Sequence, residues 1–208
     1  MTATLLPFEQ VKPTTSDPRR WSSSAMTPRR AAAELLRRHD AQRSLIAFTE
    51  YTFPRYRAAR HHQLIAEQLE RLLTGGVDRL MLLVPPRHGK SELASRRFPA
   101  FYLGHHPDRH FLSVSATADL AADFGRDVRN LISGVEYGSL FETGLAADSH
   151  AKGKWHTSAG GVYYSVGIGG AVLGRGGHVM LIDDPFASME EALARKCGIG
   201  TPEQPTTG

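Results

Sequence analysis

Two short runs carry side chains able to do phosphate chemistry. The first is Val84-Pro85-Pro86-Arg87-His88-Gly89-Lys90-Ser91, which follows an apolar run from Leu80 to Val84. A loop ending Gly-Lys-Ser between a strand and a helix lets backbone N–H groups wrap an anionic phosphate. The helix behind it points its positive end at the same group. Lys90 would reach the β- and γ-phosphates of ATP, and the Ser91 hydroxyl would hold Mg²⁺. Arg87, His88 and Gly89 complete the candidate nucleotide-contacting stretch. The usual pattern has glycine where this chain has Val84, so the loop is a variant. A Gly-Lys-Ser turn met by chance is the competing reading, and the apolar run before it and helix-forming run after it weigh against that.

The second run is Val179-Met180-Leu181-Ile182-Asp183-Asp184-Pro185. Four apolar residues predict a central parallel strand buried on both faces. Its two carboxylates would emerge where open α/β sheets bind ligands. Asp183 would hold Mg²⁺, directly or through water, and Asp184 would orient and deprotonate the water attacking the γ-phosphate. An Asp-Asp-Pro turn is the bland alternative; the upstream Gly-Lys-Ser loop tips the reading toward a site. Arg87 is a candidate charge-stabiliser for the transferring phosphoryl group, since guanidinium matches phosphate bidentately, with a solvated loop arginine as the equal alternative. His88 reads as loop-shaping or solvent-facing. His61-His62 and His105-His106 lack partners at metal spacing, so no zinc site is expected.

These residues need elements to position them. A strand over residues 79–84 would feed the loop, and a helix would run from about Lys90 to Leu103, with Pro99 kinking or shortening it. A second strand is expected over residues 110–115. Thr117 would cap a helix over 118–132 whose Leu120, Phe124, Val128 and Leu131 share a face. Ser115-Ala116-Thr117 at that strand's tip could also sense nucleotide. Residues 155–166 read as a strand pair around Gly160-Gly161. Upstream, Thr27-Pro28 starts a helix over 31–39 with Leu35 and Leu36 on its greasy side. Residues 45–53 are apolar and aromatic, and 61–73 form an amphipathic helix ended by Gly75-Gly76. This alternation of strand and helix is the rhythm of a parallel α/β sheet. Gly167, Gly169, Gly170, Gly174, Gly176 and Gly177, with Arg175 among them, make either a phosphate- or DNA-gripping loop or a plain connection.

The 208 residues suit one domain with a substantial core. Residues 1–26 read as a mobile Thr/Ser/Pro-rich arm, 27–193 as the domain and 194–208 as an unstructured tail. Arg19, Arg20, Arg29 and Arg30 read as solvated more readily than as DNA contacts. A net charge of +4 permits nucleic-acid contact without requiring it. The single cysteine, Cys197, excludes an internal disulfide and suits a reducing cytoplasm. No apolar run reaches the length of a membrane span.

Taken together, Pro85-Pro86-Arg87-His88-Gly89-Lys90-Ser91-Glu92, Phe98-Pro99-Ala100 with Leu103-Gly104, and Leu181-Ile182-Asp183-Asp184-Pro185 resemble the ATPase domain of phage terminase large subunits. Arg126-Asp127-Val128-Arg129, Gly160-Gly161 with Val166-Gly167, and Gly174-Arg175-Gly176 extend the resemblance, which runs from about Ser44 to Leu193. It implies an α/β P-loop NTPase with a mostly parallel sheet flanked by helices. It also implies an ATP- and Mg²⁺-dependent motor that drives double-stranded DNA into procapsids, with a portal protein, a small terminase subunit and further copies of itself as partners in a bacterial host cytoplasm. Lys90 and Ser91 would bind nucleotide and Mg²⁺, Asp183 the metal, and Asp184 and Arg87 would be catalytic. The family's adenine-contacting segment falls near His62-Gln63. The chain departs from the family in having Asp184 where Glu is usual. It also ends before the family's coupling strand and nuclease domain, so the expected fold is incomplete at its C-terminus and a truncated gene is expected. The rival expectations are a nucleotide-binding remnant without turnover and a helicase-like P-loop ATPase.

Overall fold

The strand His110–Ser115 (β1) is the centre of the fold, because residues 111–115 are buried on both faces. It pairs in parallel with β3 (Val162–Gly167) on one side and with β4 (Val179–Asp183) on the other. β2 (Lys154–His156) adds to β3 in antiparallel register, with Trp155 opposite Tyr163. The sheet is therefore mixed, in the order β2-β3-β1-β4. The expected parallel α/β sheet is met in part: β1 has parallel neighbours, and the β2–β3 hairpin turns against them.

The computed structural model describes residues 27–149, 151–170 and 176–186. Contacts divide the chain into Met1–Leu35 and Leu36–Gly208; the sheet lies within the second unit. The expected arm (residues 1–26), the tail (194–208), and Gly174 and Arg175 of the glycine-rich loop lie outside the described residues.

Helices form where the local chemistry asks for them. α1 (Pro28–Arg43) starts with proline at its first position, and the Thr27 hydroxyl accepts from the Arg30 N–H at 3.3 Å. Its Leu35 and Leu36 are exposed, so the greasy side expected there is not buried. α2 (Leu45–Thr52) is capped by Ser44, and α3 (Arg60–Leu73) buries Ile65, Ala66 and Leu69. α5 (Ala118–Ile132) is capped by Thr117, whose hydroxyl accepts from the Leu120 N–H. Its buried stripe is Ala121, Phe124, Gly125, Val128 and Ile132; Leu120 turns outward because it sits one position off that stripe. A short α6 (Val135–Gly138) follows and buries Tyr137.

The helix after the Gly-Lys-Ser loop is not uniform. Glu92–Arg97 is π-helical and passes into α4 (Phe98–His105). Phe98 donates its N–H to the Leu93 carbonyl, a five-residue step. Pro99 has no N–H to return to Ser95, so an ordinary α-helical ladder is already broken at this point.

The strand expected over residues 79–84 is absent: these residues have no strand partner among the described residues. They still alternate as a strand would. Leu80, Leu82 and Val84 pack on the core, while Met81 and Leu83 are 80% and 87% exposed. The expectation for β4 is corrected in the same way. Among the described residues it has one neighbour, β1, and its Met180 and Ile182 are 56% and 57% exposed, so it is an edge strand of the described sheet and not a central one. Among the described residues, no helix is long and apolar enough to cross a membrane.

Candidate functional site

The Gly-Lys-Ser loop is held in an unusual backbone shape. Gly89 has φ 77° and Arg87 has φ 63°, both in the left-handed region. Glycine takes that shape freely, whereas arginine does so at a cost of about 1–2 kcal/mol. Backbone strain of this kind persists where the surroundings over-determine it, commonly at binding sites. Among the described residues Asp184, at the far side of the site, is the other non-glycine residue with positive φ, at 45°.

The two sequence runs meet. Lys90 Nζ lies 2.9 Å from Asp183 Oδ1 and 2.8 Å from Asp184 Oδ1, although 94 residues separate Lys90 from Asp184. The two carboxylates differ in setting. Asp183 is buried at the tip of β4, and its second oxygen accepts from the Ser95 hydroxyl at 2.6 Å. Burial pushes the Asp183 carboxyl up, but hydrogen bonds from Ser95, Lys90 and Ser91 outweigh it and hold the group below its ordinary 3.8. Asp184 is exposed. For Lys90, burial favours the neutral amine, but the hydrogen bonds to Asp184 and Asp183 prevail and raise its pKa.

Ser91 and Asp183, the expected metal pair, are thus adjacent. Their hydroxyl and carboxylate oxygens suit Mg²⁺, which takes hard oxygen ligands and completes its shell with water and substrate phosphates. Among the described residues no three His, Cys, Asp or Glu side chains gather as a metal site.

Arg87 is exposed on the loop, within three residues of Lys90. The His88 ring turns back on its own loop, with Nδ1 2.8 Å from the Pro86 carbonyl, which is a loop-shaping arrangement. At the tip of β1, Ser115 stands opposite Asp183, and Ala116 donates its N–H to the Asp184 carbonyl.

Two more residues belong to this neighbourhood. Ser95 looks like an ordinary helical serine in the sequence, and it sits in the π-helical turn with its hydroxyl on Asp183. His62, which the resemblance places near the adenine-contacting segment, instead lies tilted beside His61 and reaches the His88 carbonyl from α3.

A cleft of about 390 Å³ opens one turn beyond the loop, among Phe53, Glu92, Arg96, Arg97, Asp127 and Asn130. Its cations are already neutralised: Arg97 pairs with Glu92 at 2.7 Å, and Arg96 with Asp127 at 2.8 Å. Each guanidinium also lies over an aromatic ring, Arg97 over Phe53 and Arg96 over Phe124. A cleft so compensated has little to offer an anion.

No family model, curated protein or solved structure matches the chain.

Proposed function

We propose that this chain binds ATP with Mg²⁺ and hydrolyses it as the ATPase part of a terminase large subunit, a motor that drives double-stranded DNA into procapsids. The observation that carries the ATP half is the meeting of Lys90 with Asp183 and Asp184 at 2.8–2.9 Å, beside the Ser95-held, buried carboxylate. The packaging half rests on the resemblance of residues 85–92 and 181–185 to that family. The portal protein, small terminase subunit and self-association follow from the same resemblance.

In this reading the loop N–H groups and Lys90 take the phosphate oxygens, which requires Lys90 to leave the two carboxylates. Ser91 and Asp183 would hold Mg²⁺, which neutralises charge on the phosphates. Asp184, released from Lys90, orients a water and takes its proton as the water oxygen bonds to the γ-phosphorus. The bond from that phosphorus to the bridging oxygen breaks, leaving ADP and inorganic phosphate. Arg87 supplies positive charge to the phosphoryl group in flight.

ATP binding and steady-state hydrolysis, with and without double-stranded DNA, test the proposal, with Lys90→Ala as the control that abolishes both. A second reading, binding without turnover, is favoured by the position of Asp184, which is engaged by the same lysine that the nucleotide needs. Tight binding with no phosphate release would select it. A helicase-like ATPase would be selected by hydrolysis coupled to strand separation.

A further inference from the structure

We infer that His62 is the positioning residue of the phosphate loop, a two-ended brace that ties the start of α3 to the carbonyl of His88; this rests on the phosphate-loop reading for its functional consequence. At one end the Ala59 N–H donates to His62 Nδ1 at 3.0 Å. At the other, His62 Nε2 lies 3.1 Å from the His88 carbonyl oxygen. A backbone N–H can only donate and a carbonyl can only accept, so the two partners together select one state of the ring. Nδ1 must be bare and Nε2 must carry the proton. The imidazolium would place a proton on Nδ1 against the Ala59 N–H and lose that end of the brace.

The helix end explains why a side chain is needed there. Ala59 occupies the N-cap position and has no side-chain acceptor to offer. The bond from its own N–H back to the third helical residue is therefore the only half of a capping box that exists.

The loop end explains the glycine. A Cβ on Gly89 would lie 2.6 Å from His62 Nε2. The ring thus occupies the space a Gly89 side chain would fill, against a residue already at φ 77°. Between the strained Arg87 and the left-handed Gly89, the His88 carbonyl is thus held from outside the loop by His62 of α3.

The groups facing His62 are His61 on its own helix (ring centroids 4.0 Å apart), Tyr56 from the preceding turn (5.4 Å), and His88 from the loop. Burial, then the neighbouring His61, holds the His62 pKa below its ordinary 6.5, which keeps the bare-Nδ1 state populated at neutral pH. Tyr56 is pushed up to about 12 by burial and by Glu92 and Glu50, and stays neutral there.

The two ends can be separated by substitution. His62→Gln places an amide N–H near the position of Nε2 and keeps the loop end. His62→Asn places an amide oxygen near the position of Nδ1 and keeps the helix end. The test on the full chain has three parts: ring-nitrogen NMR of His62 in the unsubstituted protein, amide hydrogen exchange at Gly89 and Lys90, and ATP affinity, with Lys90→Ala as the binding control. The expected result is a bare Nδ1 with protonated Nε2, exchange at least tenfold faster in His62→Asn and within about twofold of the parent in His62→Gln, and a matching tenfold loss of ATP affinity in the Asn variant alone. A protonated Nδ1, or equal loop exchange in the two variants, overturns the brace. If the exchange split holds but neither the parent nor Lys90→Ala binds ATP, the brace stands and the phosphate-site reading fails.

Discussion

On one side of β1 the sheet is finished by aromatic side chains. Phe111 stacks on Tyr163 at 5.7 Å between ring centroids, and Tyr163 stacks on Trp155 at 4.7 Å, with ring planes 5° and 2° apart. The Trp155 indole N–H donates to the Gly125 carbonyl of α5, so the stack is also pinned to a helix. On the other side β4 ends the described sheet with Met180 and Ile182 exposed, and residues 79–84 have no strand partner among the described residues. The candidate site lies at the tips on this second side. The packed side supplies stability, and the open side supplies the carboxylates and the loop that face each other across Lys90.

Breaking the packed side has the largest expected effect. Trp155→Ala removes a fully buried ring and costs about 4 kcal/mol, as large-to-small aromatic changes do; denaturant unfolding measures it. A cost near zero would mean that the stack does not hold the sheet. On the open side, Ser95→Ala is expected to cost about 2 kcal/mol, because it removes a buried hydrogen bond to a charged carboxylate. The same change lets the Asp183 pKa rise toward its ordinary value, which carboxyl NMR reads.

Acid provides an independent probe of that carboxylate. The folded pKa of Asp183 is depressed, so its contribution is fully present above the unfolded value of about 4 and is lost as pH falls through the folded value. Stability measured on the acid side of pH 4 should therefore fall less steeply in Asp183→Asn than in the parent. Identical acid limbs would show that Asp183 is not held as described. The smallest effect belongs to the exposed face: Ile182→Thr should stay within about 0.5 kcal/mol of the parent, as exposed surface changes do. A core-sized loss there would erase the contrast between the two sides.

The helices and strands that bury one clean stripe could be read before the fold was known. β1 and α5 have the expected bounds because apolar periodicity, Thr117 and flanking Gly and Pro agree on them. Residue type and spacing suggest that the Gly-Lys-Ser loop and Asp183-Asp184 share one site, but not that Lys90 itself would bridge both carboxylates. What escaped the reading depends on neighbours. Residues 79–84 have the alternation of a strand, but a strand is defined by a partner, and no sequence window shows whether one is present. The same holds for β4, whose four apolar residues look like an interior strand and sit at an edge. Ser95 escaped because its contact arises from a π-helical turn, and the hydrogen bond of His62 to the His88 carbonyl escaped because it joins a helix start to a distant loop.

The central claim is that Lys90, Ser91, Asp183 and Asp184 form a working ATP site, and ATP binding by the purified chain tests it most directly. Titration calorimetry with Mg²⁺-ATP should give a one-to-one isotherm in the parent, and none in Lys90→Ala at a temperature where both proteins are folded. An identical isotherm for the two proteins, or none for the parent while it is folded, would contradict the account.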